Sequence, residues 1–129
     1  MRDLKFERRW FDKHREILQI FNRKGVRILA GTDSPAPFCV PGFSLHDELE
    51  LLVSSGLTSR AALAAATVNV DDFFGKPHPP TLVLLNGNPL TYIRNTRKIE
   101  AVIADGRILL REDLDVMLAN TKRRVLASK

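Results

Sequence analysis

The feature that most constrains this chain is a short apolar run, residues 26–30 (VRILA), that stands between two glycines. The run is aliphatic and β-branched and too short for a helix, which is typical of a strand buried on both faces. Gly25 stops the segment before it, and Gly31 leads on toward Asp33. The sequence therefore predicts a buried strand over residues 26–33 whose C-terminal end carries Asp33.

The segment before this strand predicts a long amphipathic helix. Large apolar residues recur at three- and four-residue spacing over residues 3–24, with charged side chains between them. His14 lies on the apolar stripe, so packing into the core is its simplest role. A helix, a tight turn, a strand and a polar loop follow one another, and this order is typical of α/β proteins.

Two further helices are expected after the proline-rich loop at residues 34–43. Ser44 caps the first helix, with Asp47 placed to return the capping hydrogen bond, and a glycine ends it. Thr58 begins the second helix, which continues through an alanine-rich stretch toward Gly75. The alanines predict close packing against a neighbouring element, because small side chains allow backbones to approach each other.

The C-terminal third predicts a small antiparallel sheet and a final helix. Residues 81–85 read as one strand, and residues 98–104 and 107–111 as two more joined by Asp105-Gly106, a strong hairpin dipeptide. The predicted organisation is a first part at residues 1–75, a linker at 76–80, sheet strands at 81–111 and a C-terminal helix at 112–129.

Composition excludes few function classes. The formal net charge is +5, which is compatible with a nucleic-acid partner. The basic side chains are mixed with acidic ones over residues 1–25, however, and the dense run at residues 122–124 suits a solvated helix end. No aromatic side chains interleave with that run. A nucleic-acid partner is therefore the least favoured hypothesis.

The sequence predicts a cytoplasmic protein without a membrane partner. Cys39 is the single cysteine, so no internal disulfide exists, and neither histidine nor asparagine lies near it in sequence to make it a nucleophile. The N-terminus has no signal-peptide pattern, and no apolar segment approaches the length of a membrane span.

Several short words occur in a fixed order along nearly the whole chain. They are AGTD at 30–33, LHDELELLV at 45–53, GLT at 56–58, ALAAAT at 62–67, LVLL at 82–85, NPL at 88–90 and VIADGR at 102–107. The ordered set resembles the C-terminal part of the metal-dependent amidohydrolase superfamily, in its imidazolonepropionase-like and prolidase-like branch. No single word is specific, and the order carries the resemblance.

The resemblance implies a fold. The chain would be an α/β fragment of a distorted (β/α)8 amidohydrolase barrel, plus part of a small β-sandwich. Residues 26–33 resemble the eighth barrel strand, residues 44–75 the helices that follow it, and residues 81–111 the return to the sandwich.

The resemblance also implies a site. Family members use one or two divalent metal ions, often zinc, to activate water against a C–N bond of a small molecule. Asp33 matches the aspartate at the end of the eighth strand, which binds metal and acts catalytically by shuttling the proton. From the residues alone, Asp33 could equally cap the following turn.

A second candidate belongs to the leucine–histidine–x–glutamate–leucine word of this branch. In this motif His46 could reach the substrate pocket. A structural role for His46 in the first helical turn is the simpler interpretation. We expect Glu48 and Glu50 to lie on a solvated helix face, and assign no role to His78, which lies between prolines.

The chain departs from the family pattern in its metal ligands. It has three histidines and none forms the family's His-x-His pair; the bridging lysine and the histidines of the fifth and sixth strands are also missing. One carboxylate cannot fill a zinc site, which takes about three protein ligands. Residues 75–81 differ from the family as well, and Asp71 would be costly on a buried helix face.

Two hypotheses follow. In the first, the chain is the C-terminal segment of a hydrolase of C–N bonds, inactive alone and completed by a complementary chain or by homo-oligomer formation. In the second, it is a truncated non-catalytic module for oligomerisation or interaction. A lone barrel strand has two open edges, which invites association in either case. Whether this chain itself holds zinc, or no metal, stays open.

Overall fold

A computed structural model describes residues 4–34, 36–75 and 81–127. The described helices are α1 (Leu4–Arg23), α2 (Ser44–Ser54), α3 (Ser59–Ala65), α4 (Val68–Phe74) and α5 (Arg111–Ala127). The strands are β1 (Leu82–Leu85), β2 (Ile99–Ala104) and β3 (Arg107–Leu110), and a 3-10 helix spans Ile93–Arg97. The chain is thus a mixed α/β structure. The predicted linker at residues 76–80, with His78, lies outside the described residues.

Helix α1 forms as predicted, and it places Leu18 against the core while most of its apolar stripe stays half-exposed. It ends at Arg23, and Gly25 follows in the left-handed region with φ of 72°. His14 is exposed; its Nδ1 lies 2.8 Å from the Trp10 carbonyl oxygen, and the two rings meet edge to face. The expectation that His14 packs into the core is wrong, because the apolar stripe of α1 is itself half-exposed in this chain.

The strand predicted over residues 26–33 does not form. The segment is not helical, and it has no strand partner within residues 4–34, 36–75 and 81–127. It is held instead by the helices after it: Ala30 donates its N–H to the Ala65 carbonyl at 2.8 Å, and the Asn69 side-chain amide donates to the Ile28 carbonyl at 2.9 Å. The apolar pattern specifies an extended backbone, but a strand needs a second strand beside it.

The helix cap predicted at Ser44 is wrong. Ser44 is the first helical residue of α2, and its hydroxyl accepts from the Val40 N–H at 2.8 Å, so it closes the preceding turn rather than capping the helix. The second helix begins at Thr58 as predicted, and the structure shows that Thr58 caps α3, since its hydroxyl accepts from the Ala61 N–H at 3.1 Å.

The alanine-rich stretch supplies the centre of the core but is divided into two helices. Ala62 and Ala65 are fully buried, which confirms the prediction of close packing. They pack with a cluster from α2, α3 and the 3-10 helix that also includes Leu49, Leu52, Leu57 and Ile93. The chain breaks at Thr67, and α4 beyond it has no buried residue among those described, so Asp71 is exposed and no charge is buried there.

The three-stranded sheet follows its prediction closely. Strand β2 lies in the middle and pairs antiparallel with β1 and β3. Asp105 and Gly106 both have positive φ, 51° and 73°, which is the two-residue turn expected of this dipeptide. Helix α5 packs against β3 and β2, and Leu114 on its predicted apolar side is half-buried.

Much apolar surface stays open. On α1, five large side chains are between 46% and 49% exposed: Trp10, Phe11, Ile17, Ile20 and Phe21. On the sheet, Leu82, Leu84, Ile108 and Leu110 are more than half exposed. Contiguous apolar surface of this kind marks places where further protein can pack. Among the described helices, none is long and apolar enough to cross a membrane.

Candidate functional site

A cavity of about 480 Å³ lies where the start of α2, strand β2 and helix α5 meet. Its volume falls in the range of small-molecule sites, roughly 300–1,000 Å³. Its polar lining comes from His46, Arg97 and Arg111, and its apolar lining includes Val102, Leu114 and Leu118. The structure therefore places His46 in the wall of this cavity.

Hydrogen bonding fixes the proton of His46 on one ring nitrogen. The Nδ1 atom lies 3.0 Å from the hydroxyl oxygen of Thr96, and that hydroxyl donates to the Ile93 carbonyl at 2.9 Å. A hydroxyl has a single proton, so the tautomer that satisfies both contacts has the Thr96 oxygen accepting from His46 Nδ1. In that tautomer the neutral imidazole presents a lone pair on Nε2.

The surroundings of His46 keep it neutral. Burial lowers the pKa of His46 below its usual range, and the positive charge of Arg97 lowers it further. The carboxylates of Asp47 and Glu50 act in the opposite direction without reversing the shift. At neutral pH the ring is therefore an uncharged hydrogen-bond acceptor on its Nε2 edge.

Arg97 belongs to an ion-pair network that ties α2 to the 3-10 helix. It donates to Asp47 at 2.5 Å and to Glu50 at 3.0 Å, and Arg94 donates to Glu50 at 2.6 Å. Partial burial would raise the pKa of Glu50, but the hydrogen bonds from Arg97 and Arg94 outweigh it and lower that pKa. Glu50 is therefore not the solvated side chain that the sequence suggested.

Arg111 joins the cavity wall to the sheet. Its guanidinium donates to the Ile99 carbonyl at 3.2 Å and to Asp115 at 2.7 Å. Asp115 is 64% exposed, so this ion pair is open to water and weak. The Nε of Arg111 is buried without a hydrogen-bond partner in the described part of the chain.

Asp33, the leading candidate from the sequence, lies elsewhere. It is exposed with φ of 49°, and its carbonyl accepts from the Ala36 N–H at 2.9 Å, so it forms a turn. It is not among the residues that line the cavity of His46. Among the described residues, no three His, Cys, Asp or Glu side chains are grouped so as to hold a metal ion. The described residues by themselves therefore do not fit a zinc site.

Glu48 was missed by the sequence reasoning. It is half-buried, and burial raises the pKa of its carboxyl, partly offset by a hydrogen bond from the Gly31 N–H. This bond joins α2 to the end of the extended segment, two residues before Asp33. Helical periodicity could have found it, because Glu48 lies three residues after Leu45 and four before Leu52, on the apolar face of α2.

Comparison with known proteins adds no relative: no protein-family model, curated protein or solved structure matches this chain.

Proposed function

We propose that this chain is the C-terminal segment of a metal-dependent hydrolase that cleaves C–N bonds of a small molecule, an amidohydrolase-type enzyme. In this proposal Asp33 supplies one carboxylate to a divalent metal site, expected to hold zinc. Additional polypeptide completes the site, from the same gene product or from a companion chain. The observation that carries the proposal is the non-helical segment at residues 26–33, which ends in Asp33 and has no strand partner in the described part of the chain.

The hydrogen bonds of that segment support an incomplete sheet. Among the described residues, the helices after it engage its main chain at Ile28, Ala30 and Gly31. An apolar, extended backbone with free hydrogen-bonding groups is a template for neighbouring strands. In α/β barrels the catalytic side chains gather at the C-terminal ends of such strands. A carboxylate at the end of this segment would then meet ligands brought by its neighbours.

The contact between Glu48 and Gly31 supports the same interpretation. It fastens the exit of the segment to α2 immediately before Asp33. A half-buried carboxyl on an apolar helix face is costly unless it is hydrogen-bonded, and here the partner is the main chain beside the proposed ligand. We assign Glu48 the task of positioning residues 31–33.

The isolated chain is expected to lack turnover. A catalytic zinc ion takes about three protein ligands and a water molecule, and Asp33 provides one. The family's histidine ligands do not occur in this sequence. Activity therefore requires the N-terminal part of such a barrel, and the substrate class follows from the family resemblance as a non-peptide C–N bond or a dipeptide ending in proline.

Zinc retention tests the proposal. The chain is loaded with zinc alone, and in complex with an N-terminal barrel part that carries the missing ligands. After exchange into metal-free buffer, zinc is measured by elemental analysis. We expect no retained zinc in the chain alone and about one ion or more per complex. Asp33→Asn should release zinc from the complex, because an amide is a poor ligand.

The matched control is Asp105→Asn. Asp105 is also exposed and also has positive φ, 51° against 49° for Asp33, so the backbone effect of the two substitutions is alike. Asparagine tolerates this region of backbone space. Zinc held stoichiometrically by the chain alone, or zinc in the complex that is insensitive to Asp33→Asn, would contradict the proposal.

A second candidate is a non-catalytic interaction module. The half-exposed apolar stripe of α1 favours it, because such a surface is suited to association without any metal. Sedimentation of the purified chain separates the two. A stable metal-free homo-oligomer, weakened by Phe11→Ser and unchanged by Asp33→Asn, together with no zinc in any complex, would favour the interaction module.

A further inference from the structure

We infer that the cavity between α2, β2 and α5 binds a small amphipathic monocarboxylate, with its apolar body against β2 and α5 and its carboxylate facing the arginines. This site is separate from Asp33 and does not depend on the hydrolase proposal. The cavity needs only elements that the described chain itself provides.

The walls select for an apolar body. Strand β2 contributes Ile99 and Val102, and α5 contributes Leu114, Met117 and Leu118. A space of about 480 Å³ stays open between these side chains. Burying a hydrocarbon chain there removes apolar surface of both ligand and protein from water, which is favourable roughly in proportion to its area.

The charges on the lining select for an anion. The charged side chains that face the cavity are Arg97 and Arg111, whereas their acidic partners do not line it. Arg97 is held by two carboxylates and is already neutralised. Arg111 shares a single, largely exposed carboxylate, Asp115. Each terminal nitrogen of Arg111 uses one N–H for Ile99 or Asp115 and keeps a second, so Arg111 is the guanidinium with donor capacity left for a ligand carboxylate.

His46 limits the ligand to one carboxylate. Its Nδ1 donates to Thr96, so the edge left for the cavity is an uncharged acceptor. A carboxylate placed beside a lone pair gains no hydrogen bond and is repelled. A ligand with a second carboxylate would have to place it in the apolar part or beside His46, and both positions are unfavourable.

The test uses octanoate, octan-1-ol and octanedioate as probes of the full chain. Binding is followed by calorimetry and by NMR chemical-shift changes at low salt. We expect octanoate to bind about fivefold or more tightly than either other probe, since one exposed charge interaction corresponds to about that factor. Equal affinity for octan-1-ol would overturn the carboxylate assignment, and equal affinity for octanedioate would overturn the role given to His46.

The charge is tested at Arg111. Arg111→Gln should weaken octanoate binding by about fivefold and leave octan-1-ol binding unchanged. Arg107→Gln is the control, because Arg107 is exposed at the start of β3 and does not line the cavity. An equal loss in both variants would mean only a change in net charge, and would overturn the site.

The location is tested at the mouth of the cavity. Met117 is 55% exposed and lines the cavity, whereas its neighbour Val116 is 58% exposed and does not. Met117→Trp should therefore abolish octanoate binding while Val116→Trp leaves it intact, and both variants should fold because both positions are open to solvent. Octanoate binding that survives Met117→Trp would place the probe on the open apolar surface of α1 or the sheet, and would overturn the proposal.

Discussion

The core around α2 and α3 and the surface of α1 are built from similar apolar side chains but end up in opposite environments. In the core, Leu49, Leu52 and Ala62 are at most 5% exposed. On α1, Trp10 and Phe11 remain 46% and 49% exposed. The difference lies in the partners: α2, α3 and the 3-10 helix close on one another, whereas α1 places Leu18 against that cluster and leaves its other large apolar side chains half in water. The first region closes on itself, and the second keeps apolar surface exposed.

The largest effect is expected from a test of this difference that truncates one side chain in each region. Leu52→Ala should lower the free energy of unfolding by about 2–5 kcal/mol, because a cavity opens in a closed core. Phe11→Ala should lower it by less than about 1 kcal/mol, because the ring is half in water already. Urea denaturation of both variants measures the two effects.

Similar losses in the two variants would show that α1 is as well packed as the core, and the comparison would fail. The same pair sharpens the proposed function. Phe11→Ala should weaken assembly with an N-terminal barrel part more than Leu52→Ala does, provided that both variants are compared at a temperature at which they are folded.

A smaller effect is expected at the ion-pair network that closes the first region. Arg97→Met should destabilise the chain by about 1 kcal/mol at pH 7, because Glu50 and Asp47 lose their partner. The adjacent Lys98→Met is the control, since Lys98 is exposed and its side chain forms no ion pair among the described residues.

The stabilisation of the fold by this ion-pair network should depend on pH. The hydrogen bonds from Arg97 and Arg94 lower the pKa of Glu50 in the folded chain. A carboxyl group whose pKa is lower in the folded chain stabilises the fold at pH values above its unfolded pKa. This stabilisation is lost as the pH falls through its folded pKa. The difference between wild type and Arg97→Met, measured by thermal unfolding, should therefore shrink below about pH 4.5. A difference that stays constant down to pH 3 would contradict the assignment.

The smallest effect is expected at Glu48, the link between the two regions. Burial raises the pKa of Glu48, so its ionised form costs stability that is fully felt above the folded pKa and disappears as the pH falls below the unfolded pKa. Glu48→Gln keeps an oxygen that accepts from the Gly31 N–H. We expect a slight rise in Tm at pH 7 and none at pH 4; a loss of Tm at pH 7 would mean that the charge itself holds the segment.

Elements that depend on neighbours in sequence were predictable, and those that depend on distant partners were not. The Asp105-Gly106 turn and the start of a helix at Thr58 follow from local chemistry and form as predicted. Residues 26–33 have the composition of a strand, but pairing is a tertiary property, and no partner strand lies in the described part of the chain. The Ser44 hydroxyl accepts from the Val40 N–H, so it closes a turn instead of capping a helix.

The candidate sites divide in the same manner. The family resemblance pointed to His46, and the structure places it in a cavity wall, although Arg111 could not have been associated with it because it comes from α5, far along the chain. The role of Asp33 stays a prediction. The half-burial of Glu48 was not predicted because charged side chains are usually exposed. Its position in the helical period would have indicated burial.

The hydrogen-bond chain from His46 through Thr96 to Ile93 runs in one direction only. A half-turn of the imidazole would replace its N–H donor by a C–H and break the chain, so the ring keeps a single orientation. The cavity therefore has two unlike poles, an acceptor at His46 and donors at Arg111. A molecule that carries a donor at one end and an acceptor at the other can enter it head first or tail first, but only one of these orientations satisfies both poles.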